Sequence, residues 1–445
     1  MRYHLIGIGG SSMSGIARML RSEGHTVTGT DAKTTGNGAH LLPNEVDVVI
    51  YTEAVLSNPA GAEELATAKE RGVKTLRRID FIAERMQGKI SIAIAGAHGK
   101  STTTAMIGWS LTEAKKDPTV FIGADMEAFG GSARGGAGMY VVTEACEWNK
   151  QFLDLHPTVL VLTTIDREHL DTYPGGIEDV KRTFRQFAEQ VDPKGFIVAN
   201  GDDENLRSAL SEIDRTVVWF GLSEELDYRI TSITTDGPLL EIGLMRQHET
   251  ASFYTSHQVG KHHTVNIIAT VVALLELEIS PRVVQESVTS FPGLKRRFER
   301  YRDDEQLTVV DDYAHHPTEI LATLTAAKQR YPDRRIVCVF QPHLSQRTTD
   351  LFNEFIEALS VADKVFVAET FEPAGRVLPE NAKKSIDLVV SLREKSVDAV
   401  ESFGLDQTIS IVENDVRLHD VVITVGATNI WKVAEALSTW KPNDK

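Results

Sequence analysis

The sequence predicts an α/β fold in three domains: a Rossmann-like unit at the N-terminus, a central unit of the P-loop type and a second Rossmann-like unit at the C-terminus. Three observations predict it. Two glycine-rich stretches, Gly7-Ile8-Gly9-Gly10 and Gly96-Ala97-His98-Gly99, each stand between a strand-like run and a helical pattern, which is how an open parallel sheet presents a helix N-terminus to an anion. β-Branched runs then alternate with helix-length segments to the end of the chain, the pattern of repeated βαβ units. Finally, 445 residues exceed what one hydrophobic core holds.

The first domain is expected over residues 1–88. A strand from Tyr3 to Ile8 enters the turn through Gly9, Gly10 and Ser11, and a helix carrying Ile16, Met19 and Leu20 follows. The next strand, Thr26 to Thr30, ends at Asp31, so the unit offers a helix N-terminus to a phosphate and an acid to a ribose or base. Further strands at Val46 to Tyr51 and Val73 to Leu76 are predicted to complete it. The second domain, residues 89–292, is expected to start with a strand from Lys89 to Ile94, the second glycine turn and a helix from Ala105 to Lys115. Parallel strands are predicted at 139–143, 159–163 and 195–200, then a small antiparallel appendage at 228–235, 239–245 and 250–256, then an apolar helix from Val265 to Leu277. The third domain, residues 293–445, follows Phe291-Pro292-Gly293, with strands predicted at 307–310, 335–340, 364–367 and 421–425.

The second glycine turn reads as a phosphate site. Gly96 and Gly99 let backbone N–H groups curl around an anion, Lys100 reaches the outer phosphates, and the Ser101 hydroxyl can ligate Mg²⁺. Only Ala97 and His98 separate the glycines, where the general pattern has four residues. Glu147 and His169 follow two later strands of the same domain, so with Ser101 they form a candidate Mg²⁺ site at one sheet edge; solvated acids and a surface histidine are the plainer alternative. The basic run Lys295-Arg296-Arg297 stands at a domain junction, either as a clamp on an anionic substrate or as a solvated charge run. Asp312, His315 and His316 end one strand of the third domain, and Arg347 follows another. Such a set can bind a carboxylate, take a proton from an amine and neutralise phosphoryl oxygens. The histidine pair can equally cap the helix that Pro317 begins.

Composition narrows the classes. A net charge of −16 argues against non-specific nucleic-acid binding, which needs a basic face. Cys146 and Cys338 are too few for a disulfide framework and lack metal-site spacing, so both are expected as reduced thiols. No apolar run has the length of a membrane span, and the start of the chain has no leader-like pattern, so a cytoplasmic location without membrane or nucleic-acid partners is expected.

Taken in order, Gly7 to Gly10 with Met13-Ser14-Gly15, Gly96 to Thr104, Glu144 to Glu147, Ile165 to Asp171, Asn200 to Asp203, Gly260 to Asn266, Arg296 to Glu299, Asp311 to Glu319 and Gln341-Pro342-His343 resemble the Mur ligases of peptidoglycan synthesis. The resemblance is greatest to the branch that joins L-alanine to UDP-N-acetylmuramate. It implies an amide-forming ligase that uses ATP and Mg²⁺, and that works as a monomer or weak homodimer. The first domain would hold the UDP substrate, rather than NAD, around Gly9, Gly10, Ser11 and Asp31. The central domain would cradle ATP with Gly96, His98, Gly99, Lys100, Ser101 and Thr102, while Asn266 and His262 match positions that face the adenine.

The third domain would dock the amino acid and complete the ATP site. The lactyl carboxylate would attack the γ-phosphate to give an acyl phosphate, and the amine of L-alanine would then displace phosphate. Lys100 and Arg347 would neutralise phosphoryl charge, Arg297 would contact substrate or phosphate, and His315 would order the amine or the tetrahedral intermediate with Asp312 and His316 in support. Because these residues lie in different domains, closure on ligands is expected.

The chain departs from the family pattern at Ser101 for threonine, Cys146 for aspartate, Leu344 for arginine, and Gly426-Ala427-Thr428-Asn429 for the usual closing motif. Two related readings stay open: a branch that recycles a ready-made tripeptide onto the same nucleotide sugar, and a nucleotide-binding homologue without catalysis. An NAD-dependent oxidoreductase would leave Gly96 to Thr104 unexplained.

Overall fold

The computed structural model describes residues 1–441 other than 167–171, 237–238, 248, 259 and 373–380, and omits the side chains of Asp236, Lys261 and His262. Three sheets organise it. The first is all parallel, in the order β2-β1-β3-β4, from β1 (Arg2–Ile6), β2 (Thr26–Thr30), β3 (Val48–Tyr51) and β4 (Lys74–Arg77). Helix α1 (Ser11–Ser22) buries Met13, Ile16, Met19 and Leu20, whose spacing of three and four residues makes one apolar stripe. Helix α2 (Pro59–Glu70) starts where the Asn58 side chain accepts the Gly61 N–H and Pro59 supplies a preset φ. Helix α3 (Arg78–Met86) then leaves β4 towards the second sheet.

The second sheet has ten strands in the order β14-β13-β12-β11-β10-β9-β5-β8-β6-β7. They are β5 (Ile90–Ala95), β6 (Thr119–Met126), β7 (Gly131–Arg134), β8 (Tyr140–Glu144), β9 (Val159–Leu162), β10 (Phe196–Asn200), β11 (Val217–Gly221), β12 (Tyr228–Asp236), β13 (Leu239–Arg246) and β14 (Ser252–Ser256). Its helices include α4 (Lys100–Glu113), α5 (Ile177–Glu189), α6 (Glu204–Leu210), α7 (Lys261–Glu276) and α8 (Pro281–Thr289). The expected antiparallel appendage is present as β12 to β14, but it continues the main sheet because β12 pairs in parallel with β11. Strand β5 lies between β8 and β9. That is a switch point, where loops leave the carboxyl ends of neighbouring strands in opposite directions and open a crevice.

Two helices start earlier than the sequence suggests. Helix α4 begins at Lys100, not Ala105, and α7 at Lys261, not Val265. Ser101, Thr102, Thr103 and Thr104 are poor helix formers, yet all four are buried, and packing overrides their propensity.

The chain divides into two compact units, residues 1–257 with 263–292, and residues 258–262 with 293–445. In the first, one core joins Leu5, Ile16 and Leu20 around the first sheet to Phe81 on α3 and to Ala93, Phe121, Leu160 and Phe187 around the second. Helix α1 lies directly on β7: a Cβ at Gly15 would collide with Ser132, whose hydroxyl donates to the Ser11 carbonyl at 2.6 Å.

The second unit has the sheet order β15-β16-β20-β17-β18-β19, from β15 (Glu299–Asp303), β16 (Leu307–Asp312), β17 (Ile336–Phe340), β18 (Lys364–Ala368), β19 (Asp398–Ser402) and β20 (Asp420–Val425). All pairs are parallel except β15 with β16. Val310, Cys338 and Ile423 face one core and Val309, Val339 and Val422 the other, the alternation of a sheet covered on both sides. Helix α9 (Pro317–Arg330) follows β16 and α10 (Ser345–Asp350) follows β17. Among the described residues, no helix is long and apolar enough to cross a membrane.

Candidate functional site

The turn after β5 is shaped by close contacts from behind. Gly96 has φ +141°, and a Cβ there would collide with the Thr163 hydroxyl that follows β9. Thr163 donates to the His98 carbonyl at 2.6 Å, and Ala97 N–H donates to the Thr164 carbonyl at 2.9 Å. Gly99, at φ +83°, occupies the left-handed region immediately before α4, and a Cβ there would strike Asn266 Oδ1 on α7. The turn is therefore held open by side chains on two other elements. It aims the N-terminus of the fourteen-residue α4 into the crevice.

Lys100 Nζ donates to the carbonyls of Gly96 at 2.5 Å and Ala97 at 2.9 Å, and pairs with Glu147 Oε1 at 3.0 Å. The ammonium thus already sits where oxygens converge. Ser101 Oγ donates to Glu144 Oε2 at 2.7 Å, and the same oxygen accepts the Gly123 N–H at 2.7 Å. The acid beside Ser101 is consequently Glu144, the last residue of β8, whereas Glu147 meets Lys100. The sequence pattern places Glu147 and His169 with Ser101. His169 lies outside the described residues, as does the side chain of His262.

Among the described residues no three His, Cys, Asp or Glu side chains are grouped to hold a metal. A magnesium ion at such a turn takes few protein ligands and several from phosphate and water. The hydroxyl of Ser101 and the carboxylates of Glu144 and Glu147 are hard oxygen donors that fit it. Thr102 is buried in the first turn of α4, and His98 Nε2 lies 3.4 Å from Asp166 Oδ2. Asn266, expected at the adenine, has its amide oxygen against the Gly99 end of the turn.

The turn after β1 has its own partners. Asp31 Oδ2 accepts Gly9 N–H at 3.2 Å and Oδ1 accepts Lys33 N–H at 2.9 Å. A Cβ on Gly9 would lie 2.7 Å from the Asp31 carboxyl carbon, so the acid is folded over the glycine turn. Gly10 is the residue before α1, and Ser11 its first. Beneath them is a carboxylate that the sequence reading missed. Glu64, fully buried on α2, accepts from Thr30 Oγ1 at 2.9 Å, Gly38 N at 3.1 Å and Asn37 Nδ2 at 3.3 Å, and contacts His4 Nε2 at 2.8 Å. These bonds outweigh burial and hold its carboxyl below the usual range. They also tie the 31–38 loop to α2.

A second missed residue is Arg78, at the start of α3. It lines a cavity of about 140 Å³ with Thr52, Glu53, Cys146 and Trp148, and one of about 270 Å³ with Ser12, Phe121, Gly123, Glu144 and Cys146. Burial, then the charge of Glu147, pushes the Cys146 thiol up to about 11, so it is neutral beside Arg78 at pH 7. The basic doublet Arg77-Arg78 at a strand end was the available signal.

In the second unit, Asp312 ends β16 and accepts the N–H groups of Phe298 and Ala314, both at 2.8 Å. Burial raises its carboxyl to about 6, against the opposing charge of Arg297. Arg297 stands over the Tyr313 ring at 5.4 Å. Its neighbour Arg296 is a structural pin, at 2.9 Å from Asp311 and 2.6 Å from the Gly426 carbonyl. His315 Nδ1 lies 3.1 Å from the Tyr313 carbonyl, which assigns its proton to Nδ1 and leaves Nε2 an acceptor. Burial lowers this histidine to about 4, partly offset by Glu319 and reinforced by Arg347 and Arg297. His316 Nδ1 accepts the Thr318 N–H at 3.4 Å as the cap of α9, the plainer of the two sequence readings. Arg347 is on α10, and its Nη1 is buried with no hydrogen-bond partner among the described residues. Leu344, where an arginine is usual, sits at φ +73° with its N–H donating to the Phe371 carbonyl at 3.0 Å.

Comparison with known proteins gives consistent matches along the chain. Residues 2–90 match the Mur ligase family catalytic domain, 94–274 the Mur ligase middle domain, and 296–428 the glutamate ligase domain of Mur ligases. The chain is 37% identical to the UDP-N-acetylmuramate–L-alanine ligase of a Sulfurihydrogenibium species over 99% of its own length and 97% of the relative's. It is 38% identical to that of Persephonella marina, with the same coverage of 99% and 97%. The crystal structure of UDP-N-acetylmuramate-alanine ligase from Thermotoga maritima superposes with a TM-score of 0.82 at 26% identity, covering 98% of this chain and 97% of that one.

Proposed function

The chain belongs to the Mur ligase family, and from that premise we propose that it joins L-alanine to the lactyl carboxylate of UDP-N-acetylmuramate, with cleavage of ATP, in peptidoglycan precursor synthesis. The observation that carries this reading is the similarity to L-alanine ligases over 99% of the chain. An oxidoreductase reading of the first glycine turn is set aside with it.

The division of labour follows the sheets. Residues 1–88 hold the UDP substrate, with the α1 N-terminus at Gly9, Gly10 and Ser11 facing the diphosphate and Asp31 positioned beside it. Residues 89–292 hold ATP on the turn from Gly96 to Thr102, with His98 and Asn266 bordering it. Residues 293–445 dock the amino acid.

Lys100 exchanges its two carbonyl contacts for phosphate oxygens when ATP arrives, and Glu147 stays beside it. Magnesium, when bound, supplies charge neutralisation for the phosphates, and Ser101, Glu144 and Glu147 are the side chains that would hold it. A lactyl carboxylate oxygen attacks the γ-phosphorus and ADP leaves, giving an acyl phosphate. The alanine amine then attacks the acyl carbon, losing a proton as phosphate departs. His315, neutral with a free-standing Nε2 lone pair, accepts a hydrogen bond from that amine. Arg347 and Arg297 supply positive charge for phosphoryl or carboxylate oxygens. Asp312 acts by holding the backbone of Phe298 and Ala314, and His316 by capping α9.

Phosphate release and amide formation from Mg·ATP and UDP-N-acetylmuramate, with L-alanine, glycine, L-serine or a muramyl-type tripeptide as acceptor, test the reading. Turnover is expected with L-alanine. Turnover with the tripeptide alone would move the chain to the recycling branch, and ATP binding without any amide product would leave a non-catalytic homologue.

A further inference from the structure

Adjacent arginines at the end of β4 are treated oppositely by the fold. Arg77 is fully engaged: it binds Asp80 at 2.6 and 2.9 Å and Asp154 at 3.0 Å, and these partners raise its pKa. Among the described residues Arg78, one residue on, makes one hydrogen-bonding contact, 3.4 Å from Nη1 to the Ser12 hydroxyl, and no ion pair. Glu144 and Glu53 act on it only at longer range, and burial pushes its pKa down. Arg78 is half-buried, and a guanidinium drawn from water without a carboxylate partner is unfavourable. A site retains such a group when an anion supplied from outside completes it.

The surroundings say which anion. Arg78 borders both cavities described above and so stands at their common wall with Cys146. One side of the larger cavity is Ser12, in the first turn of α1 beside Gly9 and Gly10. The same cavity is lined by Glu144, which holds the Ser101 hydroxyl of the phosphate turn. One cavity therefore borders both the residue next to the glycine turn of the first sheet and the acid that holds the phosphate turn of the second. Cys146, a neutral thiol where the family pattern has aspartate, adds no carboxylate that would compete for the guanidinium.

We propose that Arg78 is a binding residue for the nucleotide-sugar substrate, its planar fork receiving anionic oxygens of that ligand in this cavity. The inference rests on the function proposed above. The ligand carries such oxygens in two places, its diphosphate and its lactyl carboxylate, and both suit bidentate recognition.

Calorimetric titration of the full chain with UDP, UDP-N-acetylglucosamine and UDP-N-acetylmuramate decides it, comparing wild type with Arg78→Ala and Arg78→Lys, and using Mg·ADP as the control ligand. The alanine variant is expected to bind UDP-N-acetylmuramate about 30-fold more weakly, the scale of a lost charge-assisted hydrogen-bond pair, with Mg·ADP binding unchanged. A loss common to all three nucleotides assigns the diphosphate; a loss confined to UDP-N-acetylmuramate assigns the carboxylate. Unchanged affinity for UDP-N-acetylmuramate, or an equal loss for Mg·ADP, overturns the proposal. Should the alanine variant not fold, the lysine variant, which keeps the charge and removes the fork, decides by the same comparison. Failure of the wild type to bind UDP-N-acetylmuramate would instead overturn the functional reading on which this rests.

Discussion

The turn after β5 and the cluster after β16 and β17 both gather charge at the carboxyl ends of parallel strands, but they are prepared differently. In the turn, the cation is satisfied internally: Lys100 rests on Gly96, Ala97 and Glu147, and Ser101 on Glu144. In the cluster, Arg347 keeps a buried nitrogen without a hydrogen-bond partner among the described residues, and His315 is held neutral by burial. The first arrangement is preorganised by backbone carbonyls and carboxylate oxygens. The second is poised by desolvation, so its groups gain most when a ligand arrives.

That contrast can be broken most severely at Lys100. Lys100→Ala is expected to lower kcat by about 10³-fold, the scale of a lost transition-state charge contact, with the affinity for UDP-N-acetylmuramate retained in titration. Equal loss of both would end the proposed division of labour. Next in size, Arg347→Ala and His315→Asn are each expected to lower kcat/KM for L-alanine by about 10²-fold, while Mg·ATP binding is unchanged. If either variant weakened Mg·ATP binding in proportion to its loss of kcat/KM, the two regions would not be separable.

A pH profile sharpens the comparison further. Asp312 is raised to about 6, so the stability it contributes is complete below its ordinary value of 3.8 and is lost as pH rises through about 6. His315 is lowered from 6.5 to about 4, so its contribution is present above pH 6.5 and is lost as pH falls towards 4. Chemical denaturation of Asp312→Asn across pH 4 to 7 is expected to lose the first dependence and keep the second. The smallest effect concerns the first sheet. Glu64→Gln should raise KM for UDP-N-acetylmuramate about fivefold by loosening the bonds to Thr30, Asn37 and Gly38, at about 1 kcal/mol, and leave KM for ATP alone. A shift in melting temperature without a change in KM would make Glu64 purely structural.

Glu64 also shows where legibility in the sequence stops. It stands in a helix with no local feature that distinguishes it from Glu63, yet it is the fully buried one that contacts three separate segments, at His4, Thr30 and Asn37-Gly38. Glu144 and Glu147 were equally ambiguous: both follow one strand, and only the register of β8 beside β5 sends Glu144 to Ser101 and Glu147 to Lys100. By contrast, the turn from Gly96 to Ser101 was readable because its chemistry is local. Glycines that must adopt positive φ, and a helix that must begin where the turn ends, leave a mark in adjacent residues. The early start of α4 was hidden because burial of Ser101 to Thr104 is a tertiary fact.

By itself, the sequence determined the α/β class, most strand positions and the two glycine turns, since periodicity, glycine placement and strand-to-helix succession act over a few residues. Only the tertiary structure decided the continuation of the appendage into one ten-stranded sheet, the capping role of His316, the seating of Asn266 against Gly99, and the unequal fates of Arg77 and Arg78. Each of those depends on which distant partner fills the space beside a side chain, and hydrogen bonding and desolvation at that distance are set by packing, which no local pattern encodes.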